Sequence, residues 1–267
     1  MKAKDAAGDW SPEAYGRFRD LRLRPALDLM ARVGALPEGS IVDLGCGSGA
    51  VGPALAARFA GRVLTGIDTS SSMLERARAT GAYGRLVQVD AARWQADGPV
   101  ALIFSNAALQ WLPDHERLLP ELVGELAPGG VLAVQMPRQH AAPSHRFLRE
   151  FAADMFPDRF DYADWQPPVG VALDYQRVLN PLGLLDIWET EYLQRLTPAA
   201  GGEGHPVRRF TESTALRPVL DRLDEAERAR FLRRYDEALA AAYPVEVDGA
   251  VIFPFRRLFL VLSTLAA

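Results

Sequence analysis

The sequence predicts an α/β fold built on a seven-stranded, mostly parallel sheet with helices on both faces. Three observations lead to this prediction. Short apolar segments alternate with helix-like segments over residues 40–137. A glycine-rich turn at residues 45–49 follows the first apolar segment. Acidic or polar residues end several of these segments, and open parallel sheets bind their ligands at the carboxyl ends of the strands.

The first strand and its turn lie in the segment Ile41-Val-Asp-Leu-Gly-Cys-Gly-Ser-Gly49. The alternate glycines Gly45, Gly47 and Gly49 have no Cβ, so the backbone can pass very close to a ligand. The acidic-x-G-x-G-x-G spacing begins at Asp43 and differs from the G-x-G-x-x-G fingerprint, which places a pyrophosphate on a helix N-terminus. The pattern therefore favours a ligand with a sugar part and an amino acid part but no phosphate.

Four further apolar segments continue the alternation. The expected strands are 62–68, 85–90, 100–106 and 131–136, and the expected helices between the first three strands are 50–58 and 71–79. A carboxylate at the end of the second strand of such a unit accepts hydrogen bonds from both hydroxyls of a ribose, which is the position of Asp68. A single acid at a strand end is typical of a cap or a turn. Asp43, Asp68 and Asp90 together indicate one shared ligand site.

The remaining chain adds helices and two more strands. Helices are expected at 143–156 and 173–182, strands at 185–193 and 250–262, and helices again at 206–243. The last helical stretch is thus an insertion between the final two strands. Before the first strand, residues 13–34 are predicted to form one or two helices, for which Ser11 is a suitable N-cap and Pro12 a suitable first residue.

Composition restricts the function classes. The chain has 267 residues and a formal net charge of −4, so it lacks the basic field of a nucleic-acid-binding protein. One cysteine, Cys46, excludes an internal disulfide and fits a reducing compartment. The N-terminal residues lack the apolar core of a signal peptide, and no apolar run is long enough to span a bilayer. We therefore expect a cytoplasmic protein with neither nucleic acid nor membrane as a partner.

The glycine turn and the strand-end acids resemble the first motifs of the class I S-adenosylmethionine-dependent methyltransferases. More selective segments are similar to the trans-aconitate 2-methyltransferases. They are Trp10-x-Pro12-x-x-Tyr15, Arg22-x-Arg24-Pro, Phe104-Ser-Asn-Ala-Ala-Leu-Gln-Trp-Leu-Pro-Asp-His115, Leu216-Arg-Pro218 and Pro254-x-x-Arg257-Leu-Phe259. The resemblance covers nearly the whole chain, but it departs from the family near 138–142 and 199–213. Both regions should border the substrate, so the acid that is methylated stays open.

The resemblance implies a Rossmann-like fold and S-adenosylmethionine as cofactor, with S-adenosylhomocysteine as product and no metal. It implies a single domain over residues 1–267. Within that domain we expect a cofactor-binding core at 36–140, an N-terminal helical cap at 9–34 that serves as a lid, and a substrate-side helical insertion at 206–243. The expected partner is a small-molecule carboxylate, and the expected state is a monomer or a weak homodimer.

The resemblance and the strand ends together predict the binding residues. The expected cofactor-binding residues are Trp10, Tyr15, Asp43, Gly45, Gly47, Gly49, Asp68, Thr69, Met73, Asp90, Ala91, Asn106 and Trp111. A polycarboxylate calls for arginine, whose planar fork pairs bidentately with carboxylates. The expected substrate-binding residues are Arg22, Arg24, Arg138, His140, Arg217 and Arg257. A carboxylic acid is already ionised at neutral pH, so no catalytic general base is expected.

Two alternatives remain open. The chain could methylate another small acid, an acyl-carrier thioester or a secondary metabolite instead of trans-aconitate. It could also be a non-catalytic module that binds S-adenosylmethionine, because a fold does not by itself establish activity. A closed pocket lined by arginine would favour the small-acid enzyme, whereas a flat face would favour the binding module.

Overall fold

The structure, a computed structural model, describes residues 19–198, 204–212 and 214–266, with side chains from Leu23 onward. These residues form two compact units. One unit contains residues 19–137, 168–190 and 257–266, and we call it the sheet unit. The other contains the described parts of residues 138–167 and 191–256, and we call it the helical unit.

The elements are numbered in chain order. They are α1 (Arg19–Ala31), β1 (Ser40–Leu44), α2 (Gly52–Arg58), β2 (Leu64–Asp68), α3 (Ser71–Ala79), β3 (Arg85–Gln88), β4 (Val100–Asn106), α4 (His115–Gly124), β5 (Leu126–Pro137), α5 (Pro143–Met155), α6 (Ala172–Leu179), β6 (Leu184–Leu196), α7 (Pro206–Glu212), α8 (Arg217–Leu220), α9 (Glu225–Ala242) and β7 (Val251–Ser263). Two short 3₁₀ helices lie at Leu109–Trp111 and Asn180–Leu182.

The seven strands form one sheet in the order β3-β2-β1-β4-β5-β7-β6. The pairs from β3 through β5 are all parallel, and β7 runs antiparallel to β5. Central strands of a parallel sheet are buried on both faces and are therefore almost continuously apolar, as β1 and β4 are. The prediction of a seven-stranded, mostly parallel, Rossmann-like α/β fold is confirmed.

The hydrophobic core of the sheet unit sits between the sheet and its helices. Its fully buried members include Leu44 of β1, Ile103 of β4, Leu119 of α4 and Leu132 of β5. These contacts hold β1, β2 and β4 side by side, with Asp43 paired to Gly66 and to Phe104 in the ladders. Because parallel strands end at the same edge, the residues that follow them are brought together there.

Several strand boundaries differ from the prediction: β2 begins at Leu64 instead of residue 62, β6 ends at Leu196 instead of residue 193, and two further differences concern β5 and β3. Strand β5 begins at Leu126, five residues earlier than expected, because Leu126 pairs with Val100 before the register shifts toward Leu102. Strand β3 ends at Gln88, so Asp90 lies two residues beyond the strand instead of at its last position. These last two differences arise from pairing with neighbouring strands, which a local apolar pattern does not contain.

The helical unit contains α5, α7, α8 and α9, so helices do occupy the insertion before β7. Helix α9 begins with a capping box, in which the Asp224 side chain accepts from Glu227 N and the Glu227 side chain accepts from Asp224 N. Tyr235 of α9 is fully buried and its hydroxyl donates to the carbonyl of Ser144 in α5 at 2.6 Å. The expected break at Arg217-Pro218 is the start of α8.

The N-terminal lid predicted at residues 9–34 lies partly outside the described residues, which begin at residue 19. Its described part is α1, which buries Ala26, Leu29 and Met30. Across the described stretches of the chain, no helix has both the length and the apolar composition that crossing a membrane requires.

Candidate functional site

The glycine turn after β1 has a backbone that only glycine adopts without strain. Gly45, Gly47 and Gly49 have φ values of 76°, 53° and 78°. The turn is held to the sheet because the N–H groups of Gly45 and Cys46 both donate to the carbonyl of Ile67, at 2.8 Å each. A Cβ added at Gly47 would meet none of the described residues within 4 Å, so within this part of the chain the glycine borders open space that a ligand can enter.

Asp68 ends β2 and ties three chain segments together. Its Oδ2 accepts a hydrogen bond from the N–H of Gly47 at 2.9 Å, and its Oδ1 accepts one from the N–H of Ser70 at 2.9 Å. Ser70 in turn caps α3, since its hydroxyl accepts from the N–H of Met73 at 3.3 Å. The carboxylate thus fixes the distance between the glycine turn and the start of α3.

Asp43, at the fourth position of β1, is almost completely buried, with 3% of its surface exposed. The phenol of Tyr83 donates a hydrogen bond of 2.6 Å to its Oδ2. Burial raises the pKa of Asp43 to about 7, the bond from Tyr83 lowers it, and the charge of Asp68 raises it. Burial also raises the pKa of the neighbouring Cys46 thiol, which makes the thiol unreactive.

Sequence reasoning missed Tyr83, which lies in the loop between α3 and β3. Its ring packs where side chains at Gly49, Gly52 and Gly66 would otherwise stand, with ring atoms between 2.6 and 3.0 Å from the positions of the missing Cβ atoms. The tyrosine is 40 residues from Asp43 in the chain. No local pattern in the sequence marks this contact.

The loop after β3 carries the third acid. Asp90 accepts a hydrogen bond from the N–H of Ala92 at 2.9 Å, which shapes the turn through Ala91. The side chain of Gln88, the last residue of β3, donates to the carbonyl of Thr69 at 2.9 Å. These contacts join the ends of β2 and β3, so Thr69 and Asp90 belong to the same edge of the sheet as Asp68.

The end of β4 presents an unused acceptor. Asn106 pairs in register with Gln135 of β5, and its Oδ1 is buried with no hydrogen-bond partner among the described residues. Ala107 follows with a left-handed φ of 53°, and the 3₁₀ helix that ends at Trp111 comes next. Trp111 itself is 51% exposed. A buried acceptor without a donor is costly, and a ligand that donates a hydrogen bond removes that cost.

The predicted substrate residues are divided between the two units. In the sheet unit, Arg24 is exposed and lies 3.9 Å from Asp28, whereas Arg257 is only 2% exposed and donates to Oε1 of Gln135 at 3.1 Å. In the helical unit lie Arg138, His140 and Arg217. Burial, followed by the charges of Arg138 and Arg149, lowers the pKa of His140.

Arg217 faces Asp221 one helical turn away, at 3.5 Å. Of the other predicted binding residues, Trp10, Tyr15 and the side chain of Arg22 lie outside the described residues. The predicted cofactor residues from Asp43 to Trp111 all belong to the sheet unit. Among the residues that the structure describes, no group of three or more His, Cys, Asp or Glu side chains could hold a metal ion.

Comparison with known proteins shows which families this chain is similar to. The model of the family described as "Methyltransferase domain" matches residues 41–130. Curated trans-aconitate 2-methyltransferases are similar over almost the whole chain. The protein of Paracidovorax citrulli is 41% identical, and the alignment covers 95% of this chain and 97% of that protein. The protein of Escherichia coli O1:K1 is 39% identical with the same coverage.

Solved structures are more distant and agree in fold. The YcgJ protein of Bacillus subtilis has a TM-score of 0.53 and 14% identity, and the match covers 91% of this chain and all of that one. The phosphoethanolamine N-methyltransferase 2 of Haemonchus contortus in complex with S-adenosyl-L-methionine has a TM-score of 0.51 and 16% identity, over 91% of this chain and 53% of that one. At such identities the likeness shows the fold alone.

Proposed function

The chain belongs to the trans-aconitate 2-methyltransferase family, and we propose that it transfers a methyl group from S-adenosylmethionine to a carboxylate oxygen. The product is the monomethyl ester of trans-aconitate or a related small polycarboxylate. The observation that carries this proposal is an identity of about 40% to several curated enzymes of that name over 95% of the chain. A similarity confined to the glycine turn would support only the assignment of S-adenosylmethionine as cofactor.

The cofactor assignment is supported by the fit of the site to S-adenosylmethionine. Open space beside Gly47 admits an amino acid part close to the backbone, and the Asn106 oxygen is an acceptor for a donor-only ammonium. We assign the ribose hydroxyls to Asp68 and the adenine amino group to Asp90. The proposed set is completed by Asp43, Gly45, Gly49, Thr69, Met73, Ala91 and Trp111, with Trp10 and Tyr15 on the lid.

The reaction depends more on the placement of its two reactants than on acid–base catalysis. When bound, the cofactor supplies a methyl group on a sulfonium, and a carboxylate is already a nucleophile at neutral pH. What the protein contributes is in-line orientation of the oxygen and the methyl carbon, which is a proximity effect. Because a cation and an anion become neutral groups, exclusion of water by a lid favours the reaction.

Substrate recognition is assigned to arginines. We propose Arg22, Arg24, Arg138, Arg217 and Arg257 as carboxylate ligands, with His140 as an additional donor, because bidentate Arg–carboxylate pairs give strong and oriented binding. Within this set Arg257 is the most buried of the residues whose side chains are described. We also propose that residues 1–267 act as one methyltransferase domain, with core 36–140, cap 9–34 and insertion 206–243. A monomer or weak homodimer in the cytoplasm remains a prediction.

The proposal is tested by methyl transfer from labelled S-adenosylmethionine to trans-aconitate. Cis-aconitate, citrate, isopropylmalate and malonyl thioesters are assayed in parallel. Preferential turnover of trans-aconitate is the expected result. Turnover of another acid in its place would move the assignment to that substrate, and cofactor binding with no turnover of any acid would favour the non-catalytic binding module.

A further inference from the structure

The Tyr83 ring accounts for two glycines outside the proposed cofactor set, Gly52 and Gly66, and it gives Gly49 a packing role besides its proposed contact with the cofactor. Gly49, Gly52 and Gly66 come from the turn, from α2 and from β2, and a Cβ at each would lie within 3.0 Å of a Tyr83 ring atom. Three segments thus leave room for one side chain. The ring enters between them so that its hydroxyl reaches Asp43 at 2.6 Å. The Tyr83 ring therefore packs against the glycine turn, the start of α2 and β2.

The surroundings of Asp43 are unusual for a carboxylate. In the described part of the chain, the titratable groups that act on it or are acted on by it are Tyr83, Asp68 and Cys46, and none of these is a cation. Because Asp43 is only 3% exposed, its ionised carboxyl has little contact with water, and no cation among the described residues balances its charge. One strong donor, Tyr83, partly offsets that cost. The pKa of about 7 leaves the free carboxyl protonated in a large fraction of molecules near neutral pH.

We propose that Tyr83 is a positioning residue that holds the Asp43 carboxyl toward the cofactor's ammonium group, and that binding of the cofactor releases the Asp43 proton to solvent. This inference rests on the proposed function, because it takes S-adenosylmethionine as the ligand. The ligand carries an ammonium and a sulfonium, which supply the positive charge that the site lacks. The product has lost the sulfonium, so S-adenosylhomocysteine expels the proton less completely.

The proposal predicts that cofactor affinity depends on pH with a defined sign. Below pH 7 the proton must leave before the ionised carboxyl can face the ammonium, so the dissociation constant rises as pH falls, by at most about tenfold per pH unit. As pH approaches 8 the carboxyl becomes ionised and this dependence levels off. Above the α-amino pKa of the free cofactor, about 8, the affinity falls again in every variant because the ammonium loses its proton. Removing the Tyr83 hydroxyl removes the bond that lowers the pKa, so Tyr83→Phe moves the whole profile to higher pH.

The test is isothermal titration calorimetry of S-adenosylmethionine binding, from pH 5.5 to 9, in pairs of buffers with different ionisation enthalpies. Relative to Asp43→Asn, wild type should release about 0.9 more proton per cofactor at pH 6 and about 0.1 more at pH 8, because the proton taken up by the cofactor's own α-amino group cancels in this difference. Tyr83→Phe keeps the ring and its packing, and relative to Asp43→Asn it should still release a large fraction of a proton at pH 8. Asp43→Asn should release no proton at pH 6, and above about pH 7 its profile should follow the titration of the cofactor's amino group alone. Tyr162→Phe, which removes a hydroxyl in the helical unit, is the matched control and should follow wild type.

The outcomes separate this inference from the proposed function. Cofactor binding without proton release, or identical profiles for wild type and Tyr83→Phe, would overturn the inference and leave the methyltransferase assignment intact. Absence of cofactor binding would overturn both. A ¹³C NMR titration of the Asp43 carboxyl in the cofactor-free protein distinguishes these two failures. If Tyr83 has the proposed role, the pKa of Asp43 is higher in Tyr83→Phe than in wild type, whatever the ligand is.

Discussion

At the scale of single residues, the three strand-end acids differ in what their oxygens do. Asp68 accepts hydrogen bonds from two backbone N–H groups, and Asp90 accepts one from the N–H of Ala92 in its own loop. Asp43 is buried against a phenol. The sequence presents all three as equivalent, because each follows an apolar strand. Their different burial and hydrogen-bond partners therefore give the three carboxyl groups different roles toward a cationic ligand.

Replacing Asp68 by Asn should weaken cofactor binding by tenfold or more. Hydrogen bonds to a charged group contribute about 1.5–3 kcal/mol each, and the carboxylate both orders the Gly47 amide and is assigned the ribose hydroxyls. The measurement is the dissociation constant of S-adenosylmethionine by calorimetry. Asp97→Asn, at an exposed surface ion pair with Arg85, is the control and should leave that constant unchanged. A change of less than twofold in Asp68→Asn would contradict the assignment.

The raised pKa of Asp43 also predicts how the free energy of unfolding of the cofactor-free protein depends on pH. Its pKa is raised from 3.8 to about 7, so between these values the folded state binds one more proton than the unfolded state. The contribution to stability is complete below pH 3.8 and is lost as pH rises through 7. Asp43→Asn lacks this loss, so its free energy of unfolding relative to wild type should increase between pH 5 and pH 8, by about 2–3 kcal/mol.

Urea unfolding at the two pH values measures this difference. Asp97→Asn serves as a control, because the pKa of Asp97 is lowered by Arg85 and its carboxylate stays ionised across the window. If the difference between Asp43→Asn and wild type were the same at pH 5 and pH 8, the carboxyl of Asp43 would be ionised throughout, contrary to the structure.

At the scale of elements, contacts between helices and turns arise from residues distant in the chain. His115, the first residue of α4, bonds through Nδ1 to the hydroxyl of Tyr175 in α6 at 2.8 Å and through Nε2 to the carbonyl of Leu109 at 2.9 Å. The Tyr175 hydroxyl also accepts from the N–H of Gly170 at 3.1 Å. The link joins α4, α6 and the 3₁₀ helix after β4, which carries Trp111. Two residues that are 60 positions apart in the chain therefore support the loop after Asn106.

The glycine turn is an element whose strain can be measured. Gly49→Ala forces an alanine into a φ of 78° and places its Cβ 2.9 Å from the Cα of Ala77 in α3. Gly61→Ala is the matched control, since its φ is 83° but its Cβ would meet nothing within 4 Å. We expect a loss of about 1 kcal/mol for Gly61→Ala and of about 2–4 kcal/mol for Gly49→Ala, from urea unfolding. Equal losses would mean that backbone strain alone makes Gly49 necessary.

At the scale of the whole molecule, cofactor binding should stabilise the fold by mass action. S-adenosylmethionine at one hundred times its dissociation constant adds about 2.7 kcal/mol to the free energy of unfolding, because the unfolded chain does not bind it. Thermal unfolding should show the increase as a higher Tm in wild type. In Asp68→Asn the same cofactor concentration should raise the Tm much less. An equal rise in both proteins would place the cofactor away from β2.

The sequence predicted the sheet closely because strand formation in this fold has a strong local signal. All seven strands were expected near their observed positions, and β5 and β3 differ only at their ends. The proposed cofactor residues were predicted from the strand ends together with the family resemblance, and they remain a prediction. Tyr83 was missed because a tyrosine in a loop has no distinguishing sequence pattern. The predicted contacts of Gly49 with the cofactor remain a prediction, and the structure adds its packing against Ala77 and Tyr83.

By itself the sequence determined the strand segments, the glycine turn and the acids that follow the strands, because these depend on residues within a few positions of one another. The tertiary structure alone decided that β7 enters between β5 and β6, that Tyr83 reaches Asp43, and that the pKa of this carboxyl rises toward neutrality. Each of these depends on contacts across tens of residues and on the exclusion of water by packing. Such contacts arise only when distant segments are folded against one another.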